Sequence, residues 1–209
     1  MIEAVRISIR GVMRHVAGAL HNLSRGRLTP NAVTIFGAVM HAPIALLIAL
    51  GQYRWAAVFL VIFGLLDTLD GQLAQVQRRE SALGTLLDSA TDRMKEVALY
   101  TGAAYSIIAT TGRPYLAVWA VAACGASLLT SYVNAWGDAV MARFHIAKHA
   151  VNKGFRGGLL PFELRMVVLL LGLLSGRLTL AIMVIALGAG YTALSRLVRV
   201  ASRLKEADV

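Results

Sequence analysis

Long apolar stretches, separated by short polar breaks, run along most of the chain. About 20 apolar residues in a helix cross the roughly 30 Å hydrocarbon layer of a membrane. The stretches that we predict to span a membrane are 31–50, 55–76, 84–110, 115–142, 161–176, which is short, and 178–200. Turn-forming sequences separate them, namely LTPN at 28–31, GQYR at 51–54, TGRP at 111–114 and SGR at 175–177. The pattern predicts an all-α integral membrane protein with six transmembrane helices.

The segment before the first span has a different pattern, which predicts an amphipathic helix within residues 1–27. Arg6, Arg10 and Arg14 recur at steps of four on one face. The apolar residues on another face are Ile2, Val5, Ile9, Val12, Val16 and Leu20. Such a helix suits the headgroup layer, with arginines toward anionic lipid; the alternative is a solvated helix that packs on its own protein. We therefore predict a single domain in which this interfacial helix precedes a membrane core at 31–203.

Composition agrees with a membrane location. Of the 209 residues, 57% are hydrophobic and 15% are charged, and the mean hydropathy is +0.65, whereas a soluble domain of this length needs more polar surface. The net charge of +10 does not form the continuous basic face of a nucleic-acid-binding protein. Fifteen Lys and Arg fall in the termini and loops of one side, against three, Arg54, Arg113 and Arg177, on the other. The excess predicts a multi-pass protein of the cell membrane with both termini in the cytoplasm.

Four aspartates interrupt the apolar pattern around the junction of the second and third predicted spans. Asp67 and Asp70 lie about two turns before the cytoplasmic end of the second span, and Asp88 and Asp92 lie in the first turns of the third. Separations of three and four residues place each pair on one helix face. Because a short loop joins the two helices in antiparallel order, we expect the four aspartates to converge on one cavity that opens to the cytoplasm.

A cluster of carboxylates in a membrane requires positive charge. One unpaired aspartate at the membrane centre costs about 2.5–3.5 kcal/mol, so four cost about 10 kcal/mol. Only Arg93 and Lys95 are nearby in the sequence. Oxygen ligands alone suit Mg²⁺, Mn²⁺ or Ca²⁺ rather than zinc. Four acids can form a two-metal site, which typically binds the oxygens in a phosphoryl displacement.

Small residues lie between the acids. Gly71, Ala74 and Gly84 leave space beside the carboxylates, where a larger side chain would block a substrate. Close packing of helices is the other explanation for small residues in membrane helices. The sequence alone leaves both explanations open.

The acidic stretch resembles the signature of the CDP-alcohol phosphotransferase family, which reads D-x2-D-G-x2-A-R, eight residues, then G-x3-D-x3-D. The matching residues are Asp67, Asp70, Gly71, Ala74, Gly84, Asp88 and Asp92, which are seven of the eight fixed positions. Gln75 stands where the family has Arg. The N-terminal helix, the six spans and the sequence LTPNAVT at the first span are also similar to the family, so the resemblance covers essentially the whole chain.

The resemblance implies an enzyme that transfers the phosphatidyl group of a CDP-linked lipid, CDP-diacylglycerol, to an alcohol and releases CMP. It implies that the four aspartates bind Mg²⁺ or Mn²⁺, with two ions expected, and that Asp92 is also the general base. The chain is then expected to contact membrane lipids, to bind no nucleic acid and to form a homodimer, as is usual in the family.

The resemblance also implies a nucleotide site. Gly71, Ala74 and Gly84 would admit the cytidine, and Asn31 and Thr34 are similar to positions near the nucleotide. Helix capping after the Thr29–Pro30 pair is the other explanation for the last two residues.

Gln75 is the departure from the signature, at a position predicted to contact the nucleotide. A glutamine offers neutral hydrogen bonds where an arginine would offer charge to phosphates. Arg78 or Arg79 in the adjacent loop would compensate. Without compensation, the chain would be slow, altered in its donor or inactive.

The acceptor is predicted from further resemblance. LLDSATDR is similar to the branch of phosphatidylinositol phosphate synthases, as are SYVNAWGDAV and GGLLPFELR, although Asn134 replaces the usual Lys and Phe162 replaces an expected basic residue. We therefore expect a polyol phosphate acceptor, with inositol phosphate first and glycerol 3-phosphate next. Candidate ligands of its phosphate are Arg93, Arg143, Lys153 and Arg156. The positive-inside rule accounts for the same loop residues without any binding.

Two other functions fit intramembrane acids. A small divalent-cation transporter or channel would also use them, but it needs polar groups through the whole membrane. The outer parts of the spans, such as APIALLIALG at 42–51, are almost wholly apolar, which favours a one-sided pocket. A catalytically impaired scaffold is the second alternative, because of Gln75.

Overall fold

A computed structural model gives the structure of residues 2–144 and 158–207, with side chains for 10–144 and 158–205. These residues form helices and contain no strand. The helices are α1 (Ile2–Leu23), α2 (Pro30–Ala49), α3 (Tyr53–Gly64), α4 (Leu66–Gln77), α5 (Ala82–Thr111), α6 (Val118–Arg143), α7 (Phe162–Leu174) and α8 (Leu178–Ala207). A short 3₁₀ helix, Pro114–Ala117, precedes α6. The predicted all-α class is confirmed.

Four helical stretches of the described residues are long and apolar enough to cross a membrane. They are Pro30–Ala49, Tyr53–Gln77, Pro114–Arg143 and Leu178–Lys205. They coincide with the first, second, fourth and sixth predicted spans. Large apolar side chains on them are exposed, for example Val121 at 68% and Leu187 at 64%. Such a surface suits lipid rather than water, and the chain is a multi-pass membrane protein.

The third and fifth predicted spans correspond to helices α5 and α7, which are not both long enough and apolar enough to count as membrane spans in the same way. Charged residues near the start of α5, among them the predicted site acids, make its first half too polar. Helix α7 has 13 residues, which extend about 20 Å at 1.5 Å per residue, less than the hydrocarbon thickness. The count of six spans therefore stays a prediction.

The second predicted span is divided into α3 and α4 at Leu65. Leu65 keeps right-handed backbone angles, with φ −72° and ψ −21°, so the break is slight. Helix α4 then ends at Arg78, which adopts the left-handed conformation at φ +52°. The amide of Arg79 donates to the carbonyl of Ala74 at 2.9 Å, as in a Schellman motif. This turn ends the helix only four residues before α5 begins.

The described helices divide into two compact units, Met1–Leu99 and Tyr100–Val209. In the first unit, α4 packs against α1, α2 and α3. One buried apolar cluster of this unit contains Ala17, Val33, Leu69 and Leu73. The core faces of α1 and α4 thus hold the two helices together. The prediction of a single domain over 1–209 remains untested.

Helix α1 is confirmed as a helix, and its apolar residues divide between the core and the surface. Met13, Ala17 and Leu20 pack in the core beside α4, as expected of a helix that packs on its own protein. Val12 and Val16, on the predicted apolar face, are 59% and 38% exposed. These two exposed valines are available to lipid, and the interfacial location of α1 stays a prediction.

In the second unit, α6 and α7 both pack against α8. A Cβ atom built on Gly172 of α7 would lie 2.3 Å from the Cβ of Ala181 on α8, so only glycine allows the two helices to approach this closely. The hydroxyl of Thr130 on α6 lies 3.3 Å from the carbonyl of Ala189 on α8. Small residues and short hydroxyl side chains therefore set the spacing of these helices.

Candidate active site

An open cavity of about 330 Å³ lies in the first unit, lined by the start of α2, by α4 and by the start of α5. Three of the four aspartates line it, namely Asp67, Asp70 and Asp88. All six residues predicted to bind the nucleotide line it as well, namely Asn31, Thr34, Gly71, Ala74, Gln75 and Gly84. The structure thus brings nine predicted site residues to one cavity.

The start of α2 presents Asn31 and Thr34 to the cavity. Thr29 is the N-cap of α2, where its hydroxyl accepts a hydrogen bond from the amide of Ala32 at 3.3 Å, and Pro30 follows it. The capping explanation therefore applies to Thr29. Asn31 and Thr34 are free of that role and line the cavity.

Both carboxylate oxygens of Asp70 accept a hydrogen bond. It is 5% exposed. The hydroxyl of Thr34 donates to Asp70 Oδ2 at 2.5 Å, and the amide of Gly71 lies 2.6 Å from Asp70 Oδ1. Because Thr34 is on α2 and Asp70 is on α4, the hydrogen bond fixes the carboxylate relative to both helices.

Asp67 and Asp92 share one buried cation. The ammonium of Lys95, in a side chain 2% exposed, pairs with Asp67 Oδ1 and lies 3.3 Å from Asp92 Oδ1. Asp92 is not among the residues that line the cavity. Lys95 thus joins α4 to α5 through the two acids.

Arg93 continues this run of charges along α5. Its guanidinium lies 3.6 Å from Asp92 Oδ2 and 2.7 Å from Glu96 Oε2. Glu96 is fully buried, whereas the Arg93 side chain is 24% exposed. Arg93, predicted to bind the acceptor, therefore already balances two acids of its own helix.

The glycines of the signature differ in their surroundings. A Cβ built on Gly71 would meet no atom within 4 Å, so this glycine opens onto space. A Cβ on Gly84 would lie 3.2 Å from Ser81 Oγ and 3.4 Å from Asn31 Oδ1. Gly71 therefore suits substrate access, and Gly84 allows close approach between α5 and the start of α2.

Four lining residues were not predicted from the sequence, namely Pro30, Glu80, Ser81 and Thr85. Ser81 precedes α5, and its hydroxyl accepts from the amide of Gly84 at 3.0 Å in an N-cap arrangement. A serine directly before a predicted helix is a recognisable signal for this role. Of Arg78 and Arg79, the two candidates to compensate for Gln75, only Arg79 lines the cavity.

The oxygen ligands available at the cavity are of the chemical type that a hard divalent cation prefers. The lining acids supply carboxylate oxygens, and the pairing of Asp67 and Asp92 with an ammonium shows that these acids bind positive charge. Among the described residues, however, no three His, Cys, Asp or Glu side chains are arranged closely enough to hold a metal ion. Coordination by three of the aspartates therefore requires their side chains to move.

Of the predicted acceptor residues, Arg93 on α5 is not among the residues that line the cavity. Arg143 is exposed in the last turn of α6, in the second unit. Lys153 and Arg156 lie outside the described residues. Their role stays a prediction.

Comparison with known proteins places this site in a family. Residues 27–193 match the CDP-alcohol phosphatidyltransferase model. The phosphatidylinositol phosphate synthase of Corynebacterium glutamicum is 32% identical over 182 residues, which cover 82% of this chain and 77% of that protein. The phosphatidylinositol phosphate synthase of Cutibacterium acnes is 35% identical over 156 residues, which cover 72% of each. The chain belongs to the CDP-alcohol phosphatidyltransferase family.

Solved structures agree at the level of the fold. The crystal structure of Mycobacterium tuberculosis phosphatidylinositol phosphate synthase with CDP-DAG bound has a TM-score of 0.77 and 24% identity, and the match covers 90% of this chain and 93% of that one. The same protein in complex with manganese and citrate also has a TM-score of 0.77. The family model and the two relatives of 32% and 35% identity show that the chain is an enzyme, a CDP-alcohol phosphotransferase of phospholipid biosynthesis, which confirms the predicted enzyme class.

Proposed function

We propose that this enzyme transfers the phosphatidyl group of CDP-diacylglycerol to a hydroxyl of a polyol phosphate and releases CMP. Inositol phosphate is the favoured acceptor and glycerol 3-phosphate is the next. The observation that carries the proposal is the single cavity lined by Asp67, Asp70, Asp88 and the six predicted nucleotide residues. The names of the relatives, which are phosphatidylinositol phosphate synthases, support the acceptor.

In the proposed reaction, the acceptor oxygen bonds to the phosphorus that carries the diacylglycerol. The bond from this phosphorus to the bridging oxygen breaks, and the electron pair leaves with CMP. Asp92 accepts the proton of the acceptor hydroxyl as the general base. Proton removal makes the oxygen a better nucleophile, which is the contribution we assign to this side chain.

The four aspartates would hold two Mg²⁺ or Mn²⁺ ions. Bound divalent cations supply positive charge to the diphosphate and to the leaving oxygen. Before any ion binds, the chain itself orients the carboxylates, since Thr34 and the Gly71 amide fix Asp70 and Lys95 fixes Asp67 and Asp92. Gly71, with open space beside it, and Ala74 leave room for the nucleotide.

The placement in the membrane is part of the proposal. Both termini and the cavity face the cytoplasm, as the fifteen-to-three distribution of Lys and Arg supports. Six helices span the bilayer, α1 lies in the headgroup layer through its exposed Val12 and Val16 face, and the enzyme is a homodimer in contact with membrane lipids.

An acceptor panel tests the proposal. Purified protein in lipid vesicles receives CDP-diacylglycerol, Mn²⁺ and one acceptor at a time: inositol phosphate, glycerol 3-phosphate, inositol or none. We expect CMP release to be fastest with inositol phosphate and to require the acceptor. Fastest release with glycerol 3-phosphate would reassign the substrate. Absence of release with every acceptor would support a catalytically impaired family member, which Gln75 motivates.

A further inference from the structure

The ammonium of Lys95 forms salt bridges with Asp67 and Asp92, two of the carboxylates that the proposed function assigns to metal ions. The side chain starts on α5, is 2% exposed, and reaches Asp67 on α4 and Asp92 one turn back on its own helix. Both contacts are made to the Oδ1 atoms. A lysine has three N–H donors and no acceptor, so this buried head serves the two acids as a cation.

Asp70 and Asp88 have a different environment. Asp70 receives hydrogen bonds from the neutral hydroxyl of Thr34 and the amide of Gly71. Asp88 is exposed at the cavity, and within the described residues neither acid forms a salt bridge. A cation that enters the cavity therefore meets these two acids without a competing positive charge in contact with them.

An ion at Asp67 and Asp92 must instead displace Lys95. Metal–oxygen bonds of about 2.0–2.1 Å for Mg²⁺ use the lone pairs to which the ammonium now donates. An ammonium left at hydrogen-bond distance would also repel the divalent ion in a buried site, where screening is weak. Ion binding at this pair is thus the exchange of one cation for another.

We propose that Lys95 is an internal counter-ion that competes with one divalent cation for Asp67 and Asp92. Its competition makes the two ions of the site bind with unequal affinity. The inference rests on the proposed function, because it takes the four aspartates to be metal ligands. In the metal-free protein, the same lysine stabilises the first unit by separating two like charges.

Manganese binding to the full-length protein tests this role. The electron paramagnetic resonance signal of free Mn²⁺ is titrated with wild type, Lys95→Met, Lys95→Arg and the exposed-lysine control Lys205→Met. In wild type we expect two bound Mn²⁺ ions with different affinities. In Lys95→Met we expect the affinity of the more weakly bound ion to increase about tenfold or more, because a charge-assisted contact no longer competes with it. Lys95→Arg and Lys205→Met should still bind two ions with unequal affinities. The metal-free Lys95→Met protein should also melt at a lower temperature and recover when Mn²⁺ is added.

Two results separate failure of this inference from failure of the proposed function. If Asp88→Asn weakens Mn²⁺ binding while Lys95→Met leaves the affinity of the more weakly bound ion unchanged or lowers it, the role of Lys95 is refuted and the metal site stands. If wild type binds no Mn²⁺, or Asp88→Asn and Asp70→Asn bind it as wild type does, the metal site itself is refuted, and the inference with it. Lys95→Gln, which keeps a donor without the charge, replaces Lys95→Met if that variant does not fold.

Discussion

Thr34 donates a buried hydrogen bond of 2.5 Å to Asp70, across 36 residues of sequence and between α2 and α4. Thr34→Val keeps the shape of the side chain but removes the donor, so Asp70 loses the contact at Oδ2. We expect kcat/KM for CMP release to fall about tenfold or more, since hydrogen bonds to charged groups contribute about 1.5–3 kcal/mol. Thr34→Ser, which restores the donor, should recover most of the activity. Full activity in Thr34→Val would show that this hydrogen bond does not position Asp70 for the reaction.

Gly71 offers a test of substrate access. Because a Cβ at this position meets no atom within 4 Å, Gly71→Ala should fold well and gain helix stability of about 1 kcal/mol. The added methyl group enters the cavity, so we expect the KM for CDP-diacylglycerol to rise several-fold. Gly125→Ala on α6 is the matched control, since its Cβ also meets open space. An unchanged KM in Gly71→Ala would assign the glycine to packing with another surface rather than to access.

Arg79 is predicted to supply the charge that Gln75 lacks. Both residues line the cavity, and Arg79 is the only Lys or Arg among its described lining residues. We expect Arg79→Ala to lower kcat/KM about tenfold or more, as for the loss of a charged contact to phosphate. The double variant with Gln75→Arg should recover part of the loss, and Arg78→Gln, outside the lining, should change little. Equal activities of Arg79→Ala and wild type would show that Arg79 does not supply the charge that Gln75 lacks.

Gly172 tests the packing of the second unit. Its built Cβ lies 2.3 Å from Ala181 Cβ, so Gly172→Ala forces α7 and α8 apart. Overpacking of this kind costs about 1–3 kcal/mol, and we expect the melting temperature in detergent to fall by several degrees. Gly190→Ala on α8, where the built Cβ meets no atom within 4 Å, is the control. A melting temperature of Gly172→Ala equal to that of Gly190→Ala would contradict the close helix contact.

The sequence predicted much of the cavity because its pattern is local. Spacings of three and four residues determine which side chains share a helix face, and this accounts for Asp67 with Asp70 and for Gly71 with Ala74 and Gln75. Turn residues marked the end of α2 and the end of α5. The family resemblance of the acidic stretch and of LTPNAVT then grouped residues of α2, α4 and α5, which local periodicity alone does not connect.

Features that depend on packing were harder to predict. The pairing of Lys95 with Asp67 joins residues 28 apart, and the sequence offered only the i,i+3 relation between Asp92 and Lys95 as a signal. The break at Leu65 has no proline to mark it, and α7 is shorter than its apolar composition suggested. Which acid pairs with which cation depends on how closely whole helices pack against each other. A sequence pattern does not specify this packing.

The most direct test of the account is CMP release by Asp92→Asn at saturating Mn²⁺ with CDP-diacylglycerol and the best acceptor. Asparagine keeps the size of the side chain but cannot accept the proton of the acceptor hydroxyl as a carboxylate does. We predict release below about one hundredth of the wild-type rate, in line with the 10²–10⁴-fold contribution of a general base, while the exposed control Asp138→Asn keeps the wild-type rate. An Asp92→Asn protein that releases CMP at a rate close to wild type would contradict the assignment of this acid to the chemistry.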